Sequence, residues 1–206
     1  MLVGRDIWNE ELEGLFTFLA EFLEMPYREF KPHVSKQLAG CSCEKQEVIH
    51  WAGEVSRKCW YVAKGMVMIY VNGVDGKVVL GFFKAGEIAI LPDSFKNGTV
   101  SVTGLIAVAE TELLEISTRQ MQLIYKLFPE SRDLEGRIIS YATSNLVLRG
   151  ELLEMDVRSR VKRFHEIYPE TMGKNRSVKL LDKDKANFLN IGETYICRFL
   201  GGKYDF

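Results

Sequence analysis

Residues 7–25 carry apolar side chains at spacings of three and four: Trp8, Leu12, Leu15, Phe16, Leu19, Phe22 and Leu23. That period marks one apolar face of a helix. Pro26 and Pro32 are expected to break it. From about Leu38 to Ser117 the pattern changes to short runs of β-branched and aromatic residues. They read as strands at 48–54, 58–65, 66–72, 77–86 and 110–117. Gly53, Gly65, Gly73, Gly76, Gly81, Gly86, Gly98 and Gly104 punctuate them. The pairs Asn72-Gly73 and Asp75-Gly76 fall between two strong strands, where a hairpin turn needs residues that accept positive φ. Many short strands with glycine corners predict a small barrel or roll.

Helical spacing returns at Thr118–Leu127 and stops before Pro129. A longer helix is predicted over Ser131–Met155. Along it Leu134, Ile138, Tyr141, Asn145, Leu148, Leu152 and Met155 alternate at four and three, a heptad stripe suited to a two-stranded dimer seam. Asn145 on that seam would fix register by pairing with its mate. Ile139, Leu146 and Leu153 form a neighbouring stripe that can pack back on the roll. The alternative is that the whole helix is buried within one chain. Further helices are predicted at Val157–Tyr168 and Asp182–Phe188, and a last one begins near Glu193.

Composition narrows the class. Of 206 residues, 47% are hydrophobic and 27% charged, which allows both a sizeable core and a charged surface. No apolar stretch reaches the ~18 residues that span a bilayer, and the acidic N-terminus lacks the features of a secretory signal. A cytoplasmic protein is expected. Four cysteines, Cys41, Cys43, Cys59 and Cys197, do not make a disulfide framework in a chain of this length. The net charge of −1 divides unevenly. Residues 1–155 hold 16 basic and 21 acidic side chains, and residues 156–206 hold 11 and 7, so an acidic body precedes a module of net +4. A nucleic-acid contact at the C-terminal end would account for this, as would ordinary scatter.

Lys185–Leu200 has the layout of a helix-turn-helix. Ala186 is small enough for a close crossing, Leu189, Ile191, Ile196 and Phe199 are placed to fill the shared core, and Asn190 falls in the turn, where a left-handed conformation is tolerated. Glycine-punctuated strands, a long helix and this module follow one another in the order found in the Crp/Fnr superfamily of bacterial transcription regulators. The chain resembles that family over nearly its whole length. The resemblance is carried by WAGEVSRKCWYVAKGMVMIYV (51–71), DGKVVLGFFKAGE (75–87), AVAETELLEIS (107–117) and ANFLNIGETYICR (186–198). It implies an α+β fold: an N-terminal double-stranded β-helix, or β-roll, sensor at 1–128, a dimerisation helix at 129–155 and a helix-turn-helix domain at 156–206. The short stretch after Arg198 leaves no room for a β-wing and looks like a compact subgroup familiar from Bacteroidetes. The implied function is regulation of transcription by a homodimer on palindromic double-stranded DNA, with no membrane partner. Glu193, Thr194, Tyr195, Cys197 and Arg198 would face the groove.

Two departures from the family qualify this. Its cyclic-nucleotide binders hold the phosphate with an arginine beside a short helix, yet between Trp51 and Ser117 the only arginine is Arg57. Aligned through the downstream strand, Ser101 stands at the arginine position. Aligned with Gly86-Glu87-Ile88-Ala89-Ile90-Leu91 as the cassette opening, Lys96 stands near it. The candidate effector pocket is therefore Gly86, Glu87, Ile88, Ala89, Lys96, Ser101 and Val102. Losing a charge-assisted contact costs ~1.5–3 kcal/mol, about one to two orders of magnitude in affinity. A cyclic nucleotide is not expected; the effector is another small molecule or none, and the cofactor is unknown. The second departure is Glu193, a carboxylate on the reading helix that repels phosphate but can accept from a cytosine amino group. Arg158, Arg160, Lys162 and Arg163, with Lys174, Arg176 and Lys179, are candidates for backbone phosphates or simply a solvated face. A rival reading keeps the roll as a sensor or interaction module whose C-terminal helices no longer read DNA.

Other chemistry finds little support in the residues. Cys41 and Cys43 share a strand face but lack further ligands for a cluster. His33, His50 and His165 are scattered, so no metal site is expected. No nucleophile elbow, P-loop or H-E-x-x-H motif occurs, and no enzyme activity is expected.

Overall fold

The computed structural model describes residues 3–22, 27–171 and 176–200, and their side chains except those of residues 3, 27, 145, 146 and 197–200. Strand β1 (Val3–Arg5) leads into helices α1 (Asn9–Ala20) and α2 (Tyr27–Gln37). α1 buries Leu15, Phe16, Phe18 and Leu19, as its period requires. The expectation that Pro32 ends helix is corrected, because Pro32 lies inside α2. Proline removes one amide donor, but Phe30 and Val34 on either side are buried and hold the helix against the core.

The roll follows: β2 (Ala39–Cys43), β3 (Val48–His50), β4 (Lys58–Lys64), β5 (Met66–Gly73), β6 (Gly76–Lys84), β7 (Ile88–Ala89), the short helix α3 (Pro92–Asn97), β8 (Thr103–Ala107) and β9 (Thr111–Ser117). One antiparallel sheet, sheet A, has the order β1-β2-β9-β4-β7; sheet B has the order β3-β8-β5-β6. Gly73 pairs with Gly76, so Val74-Asp75 makes a two-residue hairpin turn. The chain passes from sheet A to sheet B at Gly65, where φ is +86° and an added β-carbon would lie 2.7 Å from the Glu110 carbonyl oxygen. Only glycine satisfies both conditions at this corner.

The run Met66-Val67-Met68-Ile69-Tyr70 is buried throughout. The alternation of a strand explains it. Val67 and Ile69 join a core shared with Trp60, Val62 and Leu113 of sheet A, while Met66, Met68 and Tyr70 join a second core formed with the C-terminal helices. Sheet B is thus covered on both faces, which accounts for an unbroken apolar run.

Helix α4 (Thr118–Leu127) begins at a capping box in which Ser117 and Gln120 satisfy each other's backbone amides. The long helix α5 (Ser131–Leu153) crosses from one core to the other: Leu134 and Ala142 belong to the first, Leu152 to the second. Helix α6 (Val157–Ile167), capped by Asp156, leads through a 3₁₀ turn at Pro169–Thr171 to α7 (Asp182–Leu189) and α8 (Glu193–Leu200). Phe82 of β6 packs on Phe164, Tyr168 and Phe188 with ring centroids 6.2, 5.4 and 5.1 Å apart. Among the described residues, no helix is long and apolar enough to cross a membrane.

Candidate functional site

The segment expected to form the effector cassette begins at Gly86, with φ +93°. Its amide donates to the Val62 carbonyl at 2.9 Å, and the Glu87 carbonyl accepts from the Val62 amide at 2.9 Å, so the turn is pinned to β4. Glu87 is buried. Its Oε2 accepts from the Lys84 amide at 2.9 Å and its Oε1 from the Tyr141 hydroxyl at 3.2 Å. Burial holds this carboxyl above the ordinary carboxylate range. Glu87 therefore ties the cassette to the long helix. Ile88 pairs across from Tyr61, and Ala89 from Trp60.

After Leu91 the short helix α3 starts with proline, which offers no amide to an anion. Ser94 donates its hydroxyl to the Thr99 carbonyl at 2.6 Å and accepts from the Ser56 amide at 2.7 Å. Ser101 is buried, and its hydroxyl is engaged by Thr103: 2.9 Å from Oγ1, 3.0 Å from the carbonyl and 3.1 Å from the amide. Lys96 and Val102 are exposed. Arg57 stands at the far end of α3, where a β-carbon built on Gly98 would meet its guanidinium at 3.6 Å. The predicted pocket residues thus form a pinned turn (Gly86, Glu87), a strand (Ile88, Ala89), a buried serine (Ser101) and two exposed positions (Lys96, Val102).

Of these residues, Ile88 also lines a cavity under the helices. This cavity, of about 80 Å³, separates strands β4, β7 and β9 from helices α1, α2, α4 and α5. Leu15, Val34, Tyr61, Ile88, Leu114 and Ile138 are among the residues that line it. The sequence signal for it is the apolar character of both faces of β4, which requires a helical cover whose fit the pattern leaves open.

Cys41 and Cys43 are buried free thiols on β2, and burial pushes both up to about 12. Cys59 at the cavity wall is raised to about 12 for the same reason. Among the described residues no group of three or more His, Cys, Asp or Glu side chains comes together to hold a metal.

In the C-terminal module, Asn190 caps α7 in the left-handed region at φ 51° and ψ 52°. The Ile191 amide donates to the Ala186 carbonyl at 3.0 Å, closing the turn into α8. Ala186, Leu189 and Ile196 are buried together. Glu193 and Thr194 are exposed at the start of α8, and Tyr195 is half-buried against the core. The side chains of Cys197 and Arg198, with residues 201–206, lie outside the described residues. Among the basic candidates Arg158, Lys162, Arg163, Arg176 and Lys179 are exposed, and Lys174 lies outside the described residues. Arg160 is turned inward. Its guanidinium donates to the carbonyls of Leu152, Leu153, Met155 and Leu189 at 2.7–3.0 Å. The carbonyls left open at two helix ends draw it there.

The heptad stripe on α5 is partly covered by the chain's own cores. Leu134 and Leu152 are buried, and Ile138, Tyr141, Leu148 and Met155 pack against the two cores. The Asn145 side chain lies outside those described. Gly136, Ser140, Thr143, Val147 and Gly150 are exposed on the helix.

Residues 41–126 match the model of the cyclic nucleotide-binding domain. No curated protein matches the sequence. Among solved structures, FixK2 from Bradyrhizobium japonicum is 15% identical with a TM-score of 0.68, over 80% of this chain and 83% of that one. The c-di-GMP-responsive global regulator CLP from Xanthomonas campestris is 20% identical with a TM-score of 0.65, over 84% and 90%. A CRP-family transcriptional regulator from Thermus thermophilus is 16% identical with a TM-score of 0.63, over 78% and 82%. The chain therefore pairs a segment that matches the cyclic nucleotide-binding domain with the α+β fold, long helix and C-terminal helices of the Crp/Fnr-type transcription regulators.

Proposed function

We propose that this protein is a DNA-binding transcription regulator of the Crp/Fnr type that works as a homodimer and does not answer to cyclic AMP. The observation that carries the first part is the helix-turn-helix. Asn190 turns the chain in the left-handed region, and Glu193 and Thr194 stand exposed at the head of the second helix. A helix offered in this way is what a major groove accepts. Palindromic sites need two such heads, and α5 leaves Gly136, Ser140, Thr143, Val147 and Gly150 uncovered for a second copy. The effector part rests on Ser101 and Pro92. On one alignment the position expected to hold a phosphate offers a neutral hydroxyl already engaged by Thr103; on the other it offers Lys96, a single exposed ammonium on a short helix that opens with proline.

The test is selection from random duplex DNA at ~100 mM salt, where non-specific binding is weak. A palindromic sequence enriched over bulk DNA is expected; no enrichment ends the reading. Cyclic AMP and cyclic GMP at micromolar concentration should leave the melting temperature unchanged, and a shift of several degrees would reverse the effector assignment. One observation favours the rival reading, a module that has ceased to read DNA. Arg160 is consumed by internal carbonyls, and an exposed carboxylate, Glu193, heads the reading helix. Under that reading the selection returns nothing.

A further inference from the structure

Strand β6 is the edge of sheet B, and an edge strand presents unpaired amides and carbonyls. At Val78 one side chain meets them. Asn187 of α7 accepts from the Val79 amide at 2.7 Å through Oδ1 and donates to the Lys77 carbonyl at 2.9 Å through Nδ2. One amide group bridging the residues on either side of a third is how the backbone of a parallel neighbour would bond. Asn187 thus stands in for one residue of a missing strand.

The end of α7 is held from other directions too. Arg149 of α5 donates to the Phe188 carbonyl at 3.0 Å, and Arg160 of α6 donates to the Leu189 carbonyl at 2.7 Å. Lys84, at the end of β6, donates to the Ile167 carbonyl at 3.3 Å. Phe188, next to Asn187, sits against Phe82 of the same strand. The next residues are the Asn190 turn and the head of α8. The last turn before the reading helix is therefore fixed to the sensor sheet and to the long helix at once, while Glu193 and Thr194 stay exposed.

We infer that Asn187 is a positioning residue for the reading helix. It docks the C-terminal module on the β6 edge of its own sensor, so that the separation of two reading helices in a dimer is set by the sensor sheets and α5. The inference rests on the DNA-binding reading above and goes beyond it by saying what holds the reading head. Regulation of such a head must act by loosening or shifting β6, since a free swing of the module would break both amide bonds and part Phe82 from Phe188.

The chemistry selects asparagine. Aspartate can accept from Val79 but cannot donate to Lys77, whose carbonyl it would repel. Alanine removes both bonds and strips the buried Val79 of its amide's partner.

The experiment uses the full chain, the selected operator, and versions of it with the half-sites moved apart by one and by two base pairs. Wild type is expected to lose about tenfold or more in affinity as spacing departs from the optimum, because the heads are held at one separation. Asn187→Ala is expected to bind all spacings within about threefold of one another, with affinity for an isolated half-site unchanged. Hydrogen exchange at the Val79 amide should quicken by about tenfold or more relative to the amides of β5. Asn187→Asp, which keeps one of the two bonds, should fall between, and serves if the alanine variant does not fold. A variant that keeps the wild-type spacing preference overturns the inference. So does one that loses half-site and full-site binding in equal proportion, since Asn187 would then only support the fold. If wild type itself enriches no DNA, the proposed function fails, and the positioning role fails with it.

Discussion

The two sheets of the roll are covered in different ways. Over sheet A lie α1, α2, α4 and α5, packed by aliphatic and aromatic side chains around a cavity of about 80 Å³. Over sheet B lies the C-terminal module, held by a four-ring aromatic cluster of Phe82, Phe164, Tyr168 and Phe188 and by the Asn187 bonds to β6. Non-directional packing around a void lets helices slide at small cost, whereas aromatic edges and backbone bonds fix a register. The contrast predicts that the roll yields more readily under its N-terminal helices than under the C-terminal module.

The comparison can be broken most severely at Phe82. Phe82→Ala should cost ~3–5 kcal/mol in urea unfolding and take operator binding with it. Next come substitutions that add bulk. On the sheet B side, Ile106→Phe should destabilise by ~1–3 kcal/mol, because Ile106 is fully buried in the second core. On the sheet A side, Val34→Leu places one more methylene at the cavity and should stabilise by up to ~0.8 kcal/mol. If both variants shift the urea midpoint in the same direction, the two interfaces are alike and the contrast is wrong.

Acid should sharpen it further. His165, on α6, is lowered to about 4 by burial and by nearby Lys185. Its folded value lies below its unfolded one, near 6.5. The stability it contributes is present above pH ~6.5 and lost as pH falls toward 4. Glu87 runs the other way. Burial raises its carboxyl, so its contribution is present below the unfolded value and fades as pH rises through the folded one. His165→Leu should flatten the acid limb of a stability–pH curve, and Glu87→Gln the opposite limb. The smallest effect is chemical: Cys41 and Cys43, held protonated, should alkylate far more slowly at pH 8 in the folded protein than in urea.

Much of this architecture is legible in the chain. The glycine-punctuated runs mark β3, β4, β5, β6 and β9 but not β1, β2, β7 or β8, and Asn190 announces its own left-handed turn. The unbroken run at 66–70 contains the information that sheet B is covered twice, although the pattern alone does not name the cover. That limit recurs on α5. A heptad stripe identifies an apolar face but not what covers it; here Leu134 and Leu152 are buried in the two cores, while Ile138, Tyr141 and Leu148 are half-buried beside them. Arg160 illustrates the same limit for charge. Four carbonyls at the ends of α5 and α7 bring it inside, and they converge only in three dimensions. Pro32 misleads because a lost amide bond is a local cost, while burial of Phe30 and Val34 is a tertiary gain. The expected boundaries at 128/129 and 155/156 fall in the links between helices, and the cores cross them: Leu134 belongs with the roll, and Leu152 with the C-terminal helices.

The Asn187 amide also bears on how the protein behaves in a crowded solution. An uncovered stretch of β6 between Lys77 and Val79 would offer another molecule's strand a place to add, and the apolar face behind it would hold the newcomer. By occupying that stretch, α7 closes this part of the sheet B edge to a neighbouring strand, and the Asn187 side chain doubles as a guard against edge-to-edge assembly there.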